Sequence, residues 1–383
     1  MLLPKRGLVN TYLLGWVHFV GDYYANILPV MLPILALKFG FSYSECGLLY
    51  MIFQVSGCLL QAPLGIAADK RNLGLLLPIS ILTSGVLASS VGLCNSVWIL
   101  VVIVFLSGIC SSGFHPVLGG MVPVVSPKGR EIFGTSIFLV GGNVGFAIAP
   151  FLTALYLEHF ESPKLIYLAV FPIITTAIIF QRKIYQKEII KNDVQDLSLK
   201  TIVACRPFVW LVLSIFFRAI SYCALVSYIP LLITSRGYSS IDGSAVLMTM
   251  LLGTAIGGLM VGKFAKRYSF KNIIFSTYIL TFVGLAIFLY NADNSIIAYL
   301  SVFLGGVGLY ASTPVAIVWA QKMLPHADAF ATSMMVGFTF GLGYLTSVLV
   351  GMLGDMVGLQ LSLAVILLPT LVLAILALFK VKA

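Results

Sequence analysis

Three polar side chains recur every four residues along one otherwise apolar stretch near the start of the chain. His18, Asp22 and Asn26 share one face of a predicted helix, since residues four apart lie one turn apart. If that helix crosses a membrane, an ionised Asp22 near its middle costs ~3 kcal/mol or more unless it is paired or hydrated. We therefore predict that Asp22, with His18 beside it, carries a proton; the alternative is a buried structural cap.

A third titratable candidate follows Gly108 and Ser112 on one face of a later apolar stretch. This residue is His115, and we expect it toward the cytoplasmic end of its helix. An imidazole titrates near neutral pH, so His115 is a further candidate for proton coupling. Its neighbour Pro116 and its depth favour a structural hydrogen bond nearly as well.

The second half of the chain carries a matching polar stripe of Ser214, Arg218 and Tyr222. A guanidinium at this depth predicts either a pair with Asp22 across a central cavity or contact with substrate, and a static salt bridge is the alternative. Neutral amides on other helices serve equally well as substrate contacts or as links between helices. The candidates for substrate binding are Arg218, Asn26, Gln54, Asn143 and Tyr222.

The composition identifies the solvent of this chain. Of its 383 residues, 60% are hydrophobic and 9% are charged, whereas a soluble domain has roughly 25% charged residues. The net charge of +10 does not indicate nucleic acid, because the basic residues lie in short connectors between apolar runs. No HExxH, GxSxG or P-loop pattern occurs, so we expect no enzyme activity, cofactor or metal.

Apolar runs long enough to cross ~30 Å of hydrocarbon recur along the whole chain, at about 20 residues each. They predict an all-α integral membrane protein with twelve transmembrane helices. The predicted spans are 8–38, 44–68, 74–94, 96–120, 130–157 and 163–181 in the first half, then 205–234, 242–262, 271–290, 295–320, 329–354 and 358–379.

A polar connector at 182–204 divides the chain into two predicted six-helix bundles, 1–181 and 205–383. All but four of the 23 lysines and arginines fall on the side of the N-terminus; the exceptions are Lys38, Lys164, Arg236 and Arg218. Because this bias sets topology, we expect both termini and the connector to be cytoplasmic, in the cytoplasmic (inner) membrane.

The two halves repeat one another at a single offset of 197 residues. The offset pairs Pro33 with Pro230, Gly40 with Gly237, Ser42 with Ser239, Gly65 with Gly262 and Gly108 with Gly305. A six-helix unit returns the chain to its starting side, so two copies are related by an axis along the membrane normal, with a substrate site between them. The pattern therefore predicts two pseudo-symmetric bundles.

The segment Gly65-Ile-Ala-Ala-Asp69-Lys70-Arg71, between the second and third spans, resembles the signature loop of major facilitator transporters. In that family the loop carboxylate helps to hold the cytoplasmic side closed. The resemblance therefore implies a gating role for Gly65, Asp69, Lys70 and Arg71. The counterpart in the second half has Lys266 where the acid would stand.

Within that superfamily the first half is most similar to bacterial fosmidomycin resistance proteins, which export an antibiotic. The similarity lies in His18-Phe-Val-Gly-Asp22, in the stretch from Phe53-Gln54 to Asp69-Lys70, in Gly108 to Pro116, and in Ser136 to Gly145. The glycine series that leads to Ala149-Pro150 resembles the antiporter motif of exporters.

Together these observations predict a proton-coupled exporter of a small molecule, such as an antibiotic or organic anion, that works by alternating access. An uptake or exchange carrier for a small anionic metabolite is the alternative, with Arg218 binding substrate directly. A membrane sensor without flux is the alternative of a different class. We expect a small-molecule substrate, protons and the bilayer as partners, no nucleic acid, and a monomer.

Overall fold

A computed structural model describes residues 3–128, 131–186, 205–264, 267–324 and 328–382, and these are almost entirely helical. The helices of the first half are α1 (Leu3–Ala25), α2 (Leu28–Phe39), α3 (Tyr43–Lys70), α4 (Leu76–Ser90), α5 (Val97–Ser111), α6 (Phe114–Val125), α7 (Glu131–His159) and α8 (Val170–Arg182). Those of the second half are α9 (Arg206–Ser235), α10 (Ser240–Phe264), α11 (Phe270–Asn291), α12 (Ile296–Met323), α13 (Asp328–Ser333), α14 (Thr339–Val357) and α15 (Leu359–Lys380).

Eleven segments of the described residues are long and apolar enough to cross a membrane, from Gly7–Phe39 to Leu359–Lys380. Helix α3, with 28 residues, lies between the first and second of them. Its acidic and basic residues stand near its two ends, at Glu45, Asp69 and Lys70. The prediction of an all-helical multi-pass membrane protein is confirmed, with the spans close to their predicted places.

Two of the predicted continuous spans are broken, and a third contains a wide turn. The first breaks between α1 and α2, because Pro29 has no N–H for the carbonyl of Ala25 and so ends the run of helical bonds. The fourth breaks at Ser112 and Gly113, where Pro116 cannot bond the carbonyl of Ser112 in the same way. The eleventh contains a wide π turn, Met334–Phe338, between α13 and α14.

The predicted repeat is visible in how equivalent helices end and begin. Gly40 and Gly237 both take left-handed backbone angles, with φ of +70° and +88°, which cost glycine no steric penalty. Each residue ends a helix, and a capping box then opens the next one: the serine hydroxyl accepts from the backbone N–H of the acid, and the carboxylate accepts from that of the serine. The paired residues are Ser42 with Glu45, and Ser239 with Asp242.

The chain forms two compact units. The first comprises residues 1–34 and 52–192, and the second comprises 35–51 and 193–383. Helix α3 is thus divided, with its residues through Met51 in the second unit and those from Ile52 in the first. Most of the predicted connector, 187–204, lies outside the described residues, and the division at 181 and 205 stays a prediction.

Glycines bring helices of the second unit together at Gly253 and Gly257. A Cβ on either residue would overlap a backbone carbonyl of α12, that of Phe303 or Val307. Small residues at such contacts let backbones approach closely. Gly262 makes no such contact with the described residues, because none of their atoms lies within 4 Å of the place its Cβ would take.

Candidate functional site

Helices α1 and α7 pack backbone against backbone in the first unit. A Cβ on Gly141 would overlap the carbonyl oxygen of Gly15, and one on Gly145 would overlap that of Phe19. The glycine series that resembles an exporter motif therefore has a structural task, since it lets α7 lie directly on α1. The approach brings Phe138 and Gly142 of α7 beside His18.

The structure gathers all three predicted proton-coupling residues into one cluster. Nε2 of His18 lies 3.2 Å from Oδ2 of Asp22, and Nε2 of His115 lies 3.1 Å from Oδ1 of the same carboxylate. The side chains of His18 and Asp22 are 8% and 14% exposed, and that of His115 is 35% exposed. One facing atom from each of the three side chains lies within 4.8 Å of the others, and the Asp22 carboxylate lies at hydrogen-bond distance from both imidazoles.

The donor and acceptor capacities of the facing atoms require a proton inside this cluster. Nδ1 of His18 lies 2.8 Å from the carbonyl oxygen of Phe138, which can only accept, so Nδ1 carries a hydrogen. Nε2 of the same ring faces a carboxylate oxygen of Asp22, and two lone pairs would repel there. A proton must therefore sit between Nε2 and Oδ2, on either the imidazole or the carboxyl group.

Three residues that shape the cluster were not predicted as site residues. Gly142 leaves space for it, because a Cβ there would lie 2.5 Å from Nε2 of His18 and 2.7 Å from Oδ2 of Asp22. The ring of Phe138 stacks on His18 with centroids 4.0 Å apart, and the ring of Phe114 meets it edge to face. Sequence spacing along α1 carries no information about these neighbours on α6 and α7.

His115 reaches the cluster from the break in its predicted span. Its contact with Asp22 places the imidazole beside that carboxylate, and its position toward the cytoplasmic end of the span stays a prediction. The break at Ser112 and Gly113 starts a new helix at Phe114, and this turns His115 toward α1. Within the described residues, Nδ1 of His115 is buried without a hydrogen-bond partner.

The neutral amides occupy different environments. Asn26 is fully buried, and its Nδ2 donates to the carbonyl of Phe146 at 2.8 Å, so it links the break between α1 and α2 to α7. Among the described residues its Oδ1 has no partner. Gln54 and Asn143 are half-buried in the same unit. Their role in substrate binding stays a prediction.

Arg218 is fully buried in the second unit. Its Nη1 donates to the carbonyl of Leu309 at 2.5 Å. In the described part of the chain its Nε and Nη2 have no hydrogen-bond partner. These two nitrogens form one edge of the guanidinium, the edge that binds a carboxylate or phosphate side-on through two parallel bonds.

Aromatic rings surround that guanidinium. Its central carbon lies 5.2 Å from the ring centroid of Phe340, a cation–π distance. Tyr222 meets Phe340 edge to face, and Tyr310 lies 6.2 Å from Tyr222 between centroids. Because Asp22 belongs to the other unit, the predicted pair between Asp22 and Arg218 stays a prediction.

The gating candidates lie at the cytoplasmic end of α3 in the predicted topology. The structure extends this helix through Lys70, so the segment predicted as a loop begins as helix. The side chains of Gly65, Asp69 and Lys70 lie outside the described residues. Arg71 follows the helix as an exposed residue whose N–H donates to the carbonyl of Ala67.

Comparison with known families and proteins gives a consistent picture. The family model of the Major Facilitator Superfamily matches residues 13–344. An uncharacterized transporter of that type from Bacillus subtilis, YfnC, is 26% identical over 94% of this chain and 90% of its own length. The fosmidomycin resistance protein of Escherichia coli is 24% identical over 90% of this chain and 86% of its own length.

Solved structures agree on the fold. The nucleoside transporter NupG superposes with a TM-score of 0.73 at 16% identity and covers all of both chains. The Escherichia coli fucose:proton symporter FucP superposes with a TM-score of 0.66 at 15% identity, over 99% of this chain and 100% of its own.

Proposed function

The chain belongs to the Major Facilitator Superfamily and is a multi-pass secondary transporter, and we propose that it is a proton-coupled exporter of a small molecule. The observation that carries the proposal is the cluster of His18, Asp22 and His115. A carboxylate held between two imidazoles in a membrane helix is a group that can take and release a proton during each transport cycle.

The cluster has room for a changing number of protons. One proton lies between His18 and Asp22 in the geometry described, and Nδ1 of His115 offers a second place. His115 is the most exposed of the three, so it is the natural point of entry for a proton. When the carboxylate loses its imidazole partners, the cost of a charge in the membrane favours its neutral form. Conformation and proton occupancy are then coupled.

The energy available from one proton is sufficient for export. Each proton that enters down a membrane potential supplies about 2.3 kcal/mol per 100 mV. At ~1.4 kcal/mol per tenfold, this supports roughly a fifty-fold gradient of substrate. The resemblance of the glycine series on α7 to an exporter motif and the similarity to a fosmidomycin resistance protein support the direction of export.

Arg218 supplies the second half of the proposal, an anchor for an anionic substrate. An uncompensated guanidinium is costly inside a membrane protein, and a substrate oxyanion would satisfy its unpaired edge. Phe340 and Tyr222 would hold the apolar part of the same molecule. The same edge favours the second candidate function, an uptake or exchange carrier for an anionic metabolite.

Replacement of Asp22 by Asn tests the proton role. The amide mimics the protonated acid in shape, so we expect Asp22→Asn to retain substrate exchange across proteoliposomes. Its proton-driven accumulation in inside-out vesicles should fall from up to roughly fifty-fold to equality. The substrate for this assay comes from a flux screen of phosphonates, organic anions, sugars and cationic drugs.

Each other outcome excludes part of the proposal. Accumulation by Asp22→Asn equal to that of the native protein would exclude Asp22 as the proton carrier. Accumulation in right-side-out vesicles, with none in inside-out vesicles, would replace the exporter with the uptake carrier. If folded protein transports none of these compounds, the exporter and the uptake carrier are both excluded, and a membrane sensor without flux is the remaining function.

A further inference from the structure

The first two turns of α3 run antiparallel along the last turns of α14 in the second unit. Asp355 contacts Tyr43 and Ser44, Gly351 faces Tyr43, and the rings of Tyr50 and Tyr344 meet edge to face at 5.5 Å. On α14 the residues 344, 347, 351 and 355 share one face, since they follow the helical spacing. The contact is therefore a continuous seam.

Asp355 closes one end of this seam. Its Oδ1 accepts from the backbone N–H of Tyr43 at 2.7 Å, and its Oδ2 accepts from that of Ser44 at 3.1 Å. These N–H groups open α3, where the helix itself offers them no acceptor. A carboxylate at this position gains both charge-assisted hydrogen bonds and the favourable end of the helix dipole.

Tyr228 of α9 fastens the two helices from the side. Its hydroxyl lies 2.7 Å from the carbonyl of Ser347 and 3.0 Å from that of Tyr43. Two glycines make the space for it: a Cβ on Gly351 would lie 2.5 Å from this hydroxyl, and one on Gly47 would overlap it. Neither glycine has a left-handed backbone, so their small size is what the contact requires.

We propose that Tyr43, Ser44, Tyr228 and Asp355 form a latch that holds the outer side of the transporter closed. In the predicted topology α3 begins, and α9 and α14 end, on the outer side of the membrane. A transporter that opens to the outside must separate helix ends that meet there. Residues of α3 through Met51 belong to the second unit and those from Ile52 to the first, so the proposed latch holds one end of a helix that both units share.

A native cysteine reports whether the latch is open. Cys46 lies in the first turn of α3, between Ser44, which bonds Asp355, and Gly47, which faces the Tyr228 hydroxyl, and it is 0% exposed. A membrane-impermeant maleimide added from the outside reaches it only when the seam separates. Mass spectrometry of the peptide that contains Cys46 gives its labelling rate in the intact protein, with neither substrate nor proton gradient.

Replacement of Asp355 by Asn should release the latch, because the neutral amide retains one acceptor and loses the charge. We expect Cys46 in Asp355→Asn to react at least about tenfold faster than in the native protein, equal to ~1.4 kcal/mol. Tyr228→Phe, which keeps the ring and loses both hydroxyl contacts, should do the same and serves if the first variant does not fold.

Asp293→Asn is the matched control. Asp293, like Asp355, accepts two hydrogen bonds, but both come from Ser295 of its own turn, one from the hydroxyl and one from the backbone N–H. These bonds hold the pKa of Asp293 below its ordinary value, with the Ser295 hydroxyl the largest cause. This variant should label Cys46 at the native rate. Native rates in folded Asp355→Asn and Tyr228→Phe, or labelling from the cytoplasmic side alone, would overturn the proposal.

Discussion

Gly142 offers a sharp test of the proton cluster, since a single added methyl group would enter it. In Gly142→Ala the new Cβ would lie 2.5 Å from Nε2 of His18 and 2.7 Å from Oδ2 of Asp22. Ordinary contacts begin near 3.4 Å, so these atoms must retreat by about 1 Å. The 3.2 Å contact between Nε2 of His18 and Oδ2 of Asp22 then opens beyond hydrogen-bond distance.

The cost of such overpacking is ~1–3 kcal/mol, comparable with the ~2.3 kcal/mol that a proton supplies at 100 mV. We therefore expect proton-driven accumulation in inside-out vesicles to fall at least about tenfold, while exchange without a gradient persists. Gly119→Ala is the matched control, because no described atom lies within 4 Å of its Cβ position. Native accumulation in folded Gly142→Ala would refute a proton role for this geometry.

Three further predictions address topology, gating and the buried arginine. A reporter fused after Ala383 should be cytoplasmic and one near Glu161 should be outside; one reversed result would break the twelve-span map. Asp69→Asn should lower transport several-fold in fully folded protein, because the loop loses a charge-assisted acceptor, and transport at the native rate would remove the proposed gate. Arg218→Met should leave the melting temperature unchanged or raised, since replacing a buried charge by an apolar side chain is neutral or stabilising by ~1–4 kcal/mol; transport of an anionic substrate should be lost, and retained transport would exclude Arg218 as its anchor.

Much of the fold was predictable because the bilayer imposes a simple rule on sequence. Every apolar run of about 20 residues must form a helix, so the spans followed from hydropathy. The repeat was equally accessible, since Gly40 and Gly237 stop helices through their own backbone preference. The breaks near Asn26 and Ser112 were missed, although Pro29 and Pro116 mark them.

The candidate site was only half predictable. The stripe of His18 and Asp22 followed from helical spacing, which is local. The contact with His115 and the carbonyl of Phe138 was not, because it depends on which helices are neighbours. The sequence of an apolar helix carries little information about which helices it packs against. The glycines of α7 indicate that another helix packs closely on it, but not that this helix is α1.

The wide turn at Met334–Phe338 sets the rotational phase of α14. A π turn holds one residue more than an α turn, so everything after it is rotated by about 100° relative to an uninterrupted helix. Tyr344, Gly351 and Asp355 point at α3 because of that extra residue. Loss of one residue from the turn would restore ordinary pitch and swing Asp355 away from Tyr43 without altering a single side chain in the seam. The extra residue therefore fixes how the residues after the turn are rotated about the helix axis relative to those before it.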